Sequence, residues 1–359
     1  MKILYAIQGT GNGHLSRARA IIPALQKKGE VDILISGMQV DVSLDYPVKY
    51  RCQGLGFIFG RKGGIDLMAT YRKNKLRRFK REIRALPVEE YDIVISDFEP
   101  VSSWACLQKG KPCIGLSHQS AVLHHGAPQP KSKDHVGAAF LNYYAPAARH
   151  YGFHFQAYDT GIFTPVIRAG VRATQPSEEG HYTVYLPAYS DARILEMLLH
   201  FPEVQWEVFS KHAKGITEEQ NIFIRPIHDN LFLQSMATAK GVLCGAGFET
   251  PAEALFLKKK LLVVPMKGQY EQQCNAAALK QMGVPVIRSF KPKHIAAIDN
   301  WLDIDEIIPV NYPDQTEVII DQIFRDYEAM KPAADTNNTY GNKFRKSLFQ
   351  KIVAAYISA

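Results

Sequence analysis

The feature that most constrains this chain is a rhythm of short apolar runs alternating with longer segments of helical period, stated twice. In the first half, residues 2–8 (Lys-Ile-Leu-Tyr-Ala-Ile-Gln) read as a strand, followed by a glycine turn and a helix over about 15–28. Strands at 31–36 and 50–59 come next, then the basic stretch 72–84 as a helix. A strand over 91–96 ends at Asp97, and a helix over 101–109 leads to a strand at 112–117. Near-continuous apolar strands separated by helices signal a parallel sheet covered on both faces. Residues 160–180 are rich in Gly, Pro, Arg and small polar residues and read as an interdomain linker. A second set follows, with strands at 181–186, 204–210, 222–225, 241–244, 261–264 and 284–287, and helices at 191–200, 229–238, 251–257 and 271–282. The expectation is an α/β chain of two doubly wound domains, 1–160 and 181–330, facing a central cleft. A tail over 331–359 would end in a helix near 343–356. At 359 residues the chain exceeds what one core sustains. Ligands of doubly wound sheets bind at the carboxyl ends of the strands.

Composition excludes several classes. No run approaches the roughly 18–20 apolar residues of a membrane span, and the first seven residues are too short for a signal peptide and run into a glycine loop. Cys52, Cys106, Cys113, Cys244 and Cys274 are odd in number, scattered and without a C-x-x-C pair. That pattern argues against a disulfide framework or a zinc site and fits a cytoplasmic protein. The formal charge of +8 is concentrated between Arg72 and Arg84, where Leu76, Phe79, Ile83 and Leu86 fall at helical spacing. Such a helix could lie peripherally on an anionic membrane surface or receive an acidic acceptor. A solvated basic face above a core-packed stripe explains the same pattern. Nucleic acid is not expected, because no aromatic platform or reader motif accompanies the charge.

Two glycine loops carry the chemistry. Gly9-Thr10-Gly11-Asn12-Gly13-His14 joins the first strand to the first helix, where glycines allow close backbone approach and helix-start amides favour an anion. Its spacing is not that of a dinucleotide fingerprint, and the second strand ends in Ser36-Gly37 with no acid for a ribose, which disfavours an NAD enzyme. The glycines alone could serve a tight turn, but a turn does not explain His14. The second loop, residues 244–253, reads Cys-Gly-Ala-Gly-Phe-Glu-Thr-Pro-Ala-Glu. Thr250 suits an N-cap, Pro251 a first helical position, and Glu253 the far end of a capping box. The amides of Phe248, Glu249 and Thr250 would then form a diphosphate cradle.

One strand later the chain reads Val264-Pro265-Met266, then Gly268-Gln269-Tyr270-Glu271-Gln272-Gln273-Cys274-Asn275-Ala276. With the glycine turn ending in Gly13-His14 and the G-x-x-T-x-x-E of the second loop, this ordered trio resembles the GT-B glycosyltransferases, specifically the MurG-like and UDP-glycosyltransferase superfamily. The resemblance spans both domains to about residue 330 and implies two Rossmann-like domains. It implies that Glu253 contacts the ribose and that Glu271 and Gln272 contact the sugar hydroxyls. Gly247 and Thr250 would shape the diphosphate loop, and the backbone of Ile227 would read uracil. The sequence departs from the pattern at Gly245, where many relatives have a histidine. The helix holding Ser102-Ser103-Trp104-Ala105 also lacks the carboxylate that orients the histidine in plant-type enzymes; Asp97 is the nearby substitute.

These residues lead to an expected inverting transfer from a UDP-sugar to an acceptor hydroxyl, possible acceptors including a lipid or a cell-envelope glycan. His14 is the candidate base, or else a helix-start hydrogen-bonding residue, and Asp97 a second polar group or the base itself. Gly11, Asn12, Gly13, His118 and Gln119 would line the acceptor side. No cofactor is expected beyond the donor. No metal is expected either, since His124 and His125 are adjacent and diverge. Two alternatives stay open: a UDP-sugar 2-epimerase of the same fold, and a non-catalytic nucleotide-sugar-binding subunit.

Overall fold

The computed structural model describes residues 1–10, 12–37, 44–55, 76–132 and 134–330, with backbone alone at Asn12 and Leu76. Contacts divide the chain into two units, one of Met1–His124, Asp134–Val166 and Asp314–Ala359, the other of His125–Lys133 and Ile167–Pro313.

The first unit begins with β1 (Lys2–Gln8), α1 (Asn12–Gln26), β2 (Glu30–Ser36), β3 (Tyr50–Cys52) and α2 (Leu76–Ala85). It continues through β4 (Ile93–Asp97), α3 (Pro100–Lys109), β5 (Ile114–Ser117), α4 (His118–Val122), α5 (His135–Tyr143), β6 (Arg149–Phe153) and β7 (Ile162–Phe163). Every strand pair is parallel, in the order β3-β2-β1-β4-β5-β6-β7. The order reverses between β1 and β4, so the loops leaving these two strands diverge and open a crevice at their carboxyl ends. Ile7 pairs with Asp97, which places Asp97 beside the mouth of the first glycine loop.

Among the described side chains, the apolar stripe of the basic helix is spent on this unit's core. Phe79, Ile83 and Leu86 are buried against Leu4, Leu34, Val94 and Trp104. Only a charged face made by Arg77, Lys80, Arg81 and Arg84 is left outward. Residues 72–75 lie outside the described residues, as does the final-helix expectation over 343–356. Among the described residues no helix is long and apolar enough to cross a membrane.

The second unit holds α6 (Ala169–Ala173), β8 (Tyr182–Tyr185), α7 (Asp191–Leu198), β9 (Trp206–Ser210), β10 (Thr217–Glu219), β11 (Ile222–Pro226) and α8 (Asp229–Thr238). After these come β12 (Gly241–Gly245), α9 (Glu249–Phe256), β13 (Lys260–Val264), α10 (Tyr270–Gln281) and α11 (Ile295–Asp303). The strand order is β10-β11-β9-β8-β12-β13, parallel except for the β10–β11 hairpin. Its reversal falls between β8 and β12, again at the root of a glycine loop. The core gathers Trp206, Val208, Leu243, Leu262, Phe290 and Trp301.

Several expectations are corrected. The strand expected at 284–287 is a single parallel bridge, Val263 to Val286, because Pro285 supplies a carbonyl but no N–H to the ladder. The strand expected over 50–59 is seen as Tyr50–Cys52, and its end lies outside the described residues. The span 160–180 contains β7 and α6, and the units part between Val166 and Ile167. The boundary near 330 also moves, because α12 (Thr316–Met330) returns to the first unit. Ile319, Ile320 and Ile323 of α12 are buried, Tyr327 donates to the Asp92 carbonyl at 2.8 Å, and Lys28 pairs with Asp321 at 2.6 Å.

Candidate active site

In the first unit, α1 opens directly after the glycine loop, so His14 stands on its first turn. Arg17 follows three residues later on the same face. Asp97 ends the neighbouring strand and is fully buried. Phe98 after it adopts φ 55°, a left-handed conformation costly for a side chain. Ring contacts with Phe140 and Tyr144 hold it there. Glu99, also buried, caps α3 by accepting from Val101 and Ser102 at 2.7 and 2.6 Å, so this neighbouring acid is structural.

The result is a compact constellation. His14 Nδ1 lies 2.8 Å from Asp97 Oδ1, and Arg17 Nη2 lies 2.7 and 2.8 Å from the two Asp97 oxygens. Two groups approach His14 Nδ1: the Asp97 carboxylate, which only accepts, at 2.8 Å, and Arg17 Nη2, which only donates, at 3.1 Å. The shorter contact favours the proton on Nδ1, with Arg17 satisfied by Asp97, and leaves Nε2 as the acceptor. Gln119 Nε2 is 3.5 Å from that atom. Burial disfavours the Asp97 charge, but Arg17 and then His14 outweigh it and hold the carboxyl below its ordinary value. Arg17 is itself buried, with its guanidinium over the Phe153 ring at 5.5 Å. Sequence reading placed Asp97 here only by proximity, and it missed Arg17.

Of the expected acceptor-side residues, Gln119 sits beside His14 and Gly13 is in the first turn of α1. Gly11 and the Asn12 side chain lie outside the described residues. His118 is corrected. It is 1% exposed, its ring donates from Nδ1 to the Phe153 carbonyl at 2.8 Å, and it packs against His154, so it lines no open face.

In the second unit, parallel pairing of Gly245 with Val264 sets the second glycine loop beside the loop that leads into α10. The expected capping box is not formed. Helix α9 starts at Glu249 with Phe248 as its N-cap, so Thr250 is already helical and Glu253 lies beyond the first turn. The first amide bonded inside this helix is that of Ala252, to Phe248, and Pro251 has no N–H. The amides of residues 248–250 therefore stand at the positive end of the helix, where an anion is favoured.

Glu253 is instead gripped by Arg168, whose Nε and Nη2 donate to its two oxygens at 2.6 and 2.9 Å. Burial holds the Glu253 carboxyl above its ordinary value, and Arg168 only partly offsets it. The contact is bidentate, from a permanently charged guanidinium to both carboxyl oxygens. Arg168 fell in the stretch read as linker.

The Glu-Gln-x-x-Asn run does more than face outward. Gln272 Oε1 accepts from the Met266 amide at 2.8 Å, which leaves its NH2 as the end that can reach a ligand. Fully buried Asn275 donates to the Ala246 carbonyl at 3.1 Å and pins the glycine loop. Glu271 is half-buried on the first turn of α10. Ile227, exposed, lies between β11 and α8.

The glycines of this loop are not required by packing. A Cβ at Gly247 would meet nothing within 4 Å and its φ is not left-handed, while one at Gly245 would meet Gln272 Oε1 at 3.8 Å. By contrast, a Cβ at Gly152 would come within 2.6 Å of Ala121. The space beside Gly247 is thus open to something outside the protein.

The structure of Acinetobacter baumannii MurG is similar with a TM-score of 0.56 at 15% identity, covering 90% of this chain and 99% of that one. Phytolacca americana UGT2, solved with UDP-2fluoro-glucose and pterostilbene, gives 0.54 at 12%, covering 99% and 98%. A UDP-N-acetylglucosamine 2-epimerase gives 0.52 at 14%, covering 94% and 99%. A search of curated proteins returns no match. The model of "Glycosyl transferase family 1" matches residues 1–303, and so takes in both glycine loops and the Glu-Gln helix. The chain therefore belongs to glycosyl transferase family 1 and has the GT-B fold.

Proposed function

We propose that this glycosyltransferase moves a hexose from a UDP-sugar to an acceptor hydroxyl with inversion, and that His14 is the base. The observation that carries the reading is the His14–Asp97 contact, which aims the Nε2 lone pair away from its partner. The acceptor O–H gives its proton to Nε2 as its oxygen attacks the anomeric carbon. The bond from that carbon to the diphosphate breaks on the opposite face, and UDP departs with the electron pair. The amides of Phe248, Glu249 and Thr250 would stabilise the leaving charge. Glu253 would accept from the ribose hydroxyls with its remaining lone pairs, Glu271 and Gln272 would hold the sugar, and the Ile227 backbone would read the base. The scheme uses no separate cofactor or metal, and turnover undiminished by EDTA is its expected signature.

The decisive experiment is turnover of a panel of UDP-, GDP- and TDP-sugars with product analysis by NMR. A transferred sugar with inverted anomeric configuration supports the reading. An epimerised free sugar, or binding without turnover, would overturn it. The outward basic face of α2 would meet an anionic acceptor or bilayer by charge, since Phe79, Ile83 and Leu86 are buried in the core. Cosedimentation with anionic vesicles that disappears at high salt is expected; no preference over neutral vesicles would remove the idea.

The open space at Gly247 gives a clean separation of folding from binding. Gly247→Ala is expected to leave the urea midpoint unchanged while weakening UDP binding by at least ~10-fold, about 1.4 kcal/mol. Gly152→Ala should lose about 1–3 kcal/mol of stability by overpacking. Calorimetry and urea titration on both variants check the pair.

A further inference from the structure

Residues 125–132 follow His124, the last residue of the first unit's opening segment, and belong to the second unit; the first resumes at Asp134. At their centre Gln129 is flanked by Pro128 and Pro130, which fix the local backbone, and Ala127 is buried. Gln129 Oε1 accepts from the Tyr270 hydroxyl at 3.1 Å and from the Cys274 thiol at 3.4 Å, while its Nε2 donates to the Ala127 carbonyl at 3.4 Å. Tyr270 and Cys274 are four residues apart on one face of α10, and both are buried. Glu271 and Gln272 stand between them. The side chain of Gln269, at the start of this helix, makes no cap hydrogen bond to the first turn.

We propose that Gln129 is a positioning residue for the donor sugar: the strap of residues 125–132 ties down, through the Tyr270 hydroxyl and the Cys274 thiol, the turn that presents Glu271 and Gln272. The inference rests on the reading of α10 as the sugar-holding helix. Its effect falls on the sugar end, because the diphosphate amides belong to a different helix, α9, and the tie from α10 to their loop, buried Asn275 to the Ala246 carbonyl, does not pass through Gln129. Loss of the strap loosens the sugar end and leaves the nucleoside diphosphate end intact.

The test is calorimetry of UDP, GDP and TDP, and of their hexose esters, with wild type, Gln129→Leu, Gln129→Glu and Tyr270→Phe, together with steady-state kinetics. Gln129→Leu should bind the nucleotide sugar about three- to tenfold more weakly, the scale of one hydrogen bond, with nucleoside diphosphate affinity unchanged. The kinetic loss should appear in the donor KM, with kcat following only as far as the sugar is misplaced. Gln129→Glu keeps the oxygen that accepts from Tyr270 and Cys274 but loses the amide that donates to the Ala127 carbonyl, so it should lose less sugar affinity than Gln129→Leu. Tyr270→Phe should match Gln129→Leu, and the double variant should be no worse than either alone. Equal loss of nucleoside diphosphate and nucleotide sugar would show a general folding role and overturn the proposal. Unchanged sugar affinity in Gln129→Leu would overturn it too, while leaving the donor site standing. Wild type that binds none of the three diphosphates would remove the donor site and the strap's role together.

Discussion

Replacing His14 by alanine is expected to lower sugar transfer by about 10²–10⁴-fold, the usual weight of a positioned general base, with donor affinity unchanged. The separation follows from where the residue sits: His14 belongs to the first unit's glycine loop, and the residues assigned to the nucleotide belong to the second unit. Asp97→Asn should cost nearly as much by a different route. Its amide can donate where the carboxylate only accepts, so the imidazole loses the contact that keeps its proton on Nδ1. Arg17 is then left buried without its counter-charge. The pH behaviour distinguishes the two residues. The Asp97 carboxyl is held below its ordinary 3.8, so its contribution is fully present above about pH 4 and is lost only as the pH falls through the lowered value. A fall in kcat/KM between pH 8 and 5 therefore reports a group other than Asp97. A His14→Ala enzyme that keeps full turnover and the same pH profile would remove the residue from the mechanism.

Arg168→Leu is expected to destabilise the second unit by about 3–5 kcal/mol, because it strands the Glu253 carboxylate in a buried site. Glu253 retains only 6% of its side-chain exposure, so water cannot take over the role of the guanidinium. The same change should weaken UDP binding, since the carboxylate would become protonated or swing out. The paired variant Arg168→Leu with Glu253→Leu should recover most of the stability and none of the binding. Urea unfolding followed by calorimetry separates these outcomes. Stability unchanged in Arg168→Leu would show that the ion pair contributes nothing to the fold.

The legible parts of this chain were those whose signal is local. Parallel strands buried on both faces must be apolar throughout, and β1 reads Lys-Ile-Leu-Tyr-Ala-Ile-Gln with six of its seven residues buried. The glycine loops were visible for the same reason, and the structure sets His14 against Asp97 at the point where the strand order reverses. What stayed hidden depended on distant partners. Arg17 meets Asp97 across 80 positions and Arg168 meets Glu253 across 85, and neither arginine carries a local mark of its pairing. The span from His118 to Phe163 was also opaque. Helix α4 is five residues long and β6 reads Arg-His-Tyr-Gly-Phe, too short and too mixed for a period to emerge. At Thr250 a genuine capping pattern gave the wrong boundary. The burial of Phe248 draws the helix start forward, and Arg168 competes for the acid that would have closed the box.

The return of α12 to the first unit carries a consequence for synthesis. Lys27 on α1 pairs with Glu317, 290 positions later, and Tyr151 with Asp326. At about 5–20 residues per second, roughly 15–60 s pass between the emergence of Lys27 and that of its partner. The second unit is then fully translated before the first can close, so the half that emerges first from the ribosome is the last to be finished. A nascent chain halted before residue 314 would expose the apolar seat of Ile319, Ile320 and Ile323 to chaperones and proteases throughout that interval.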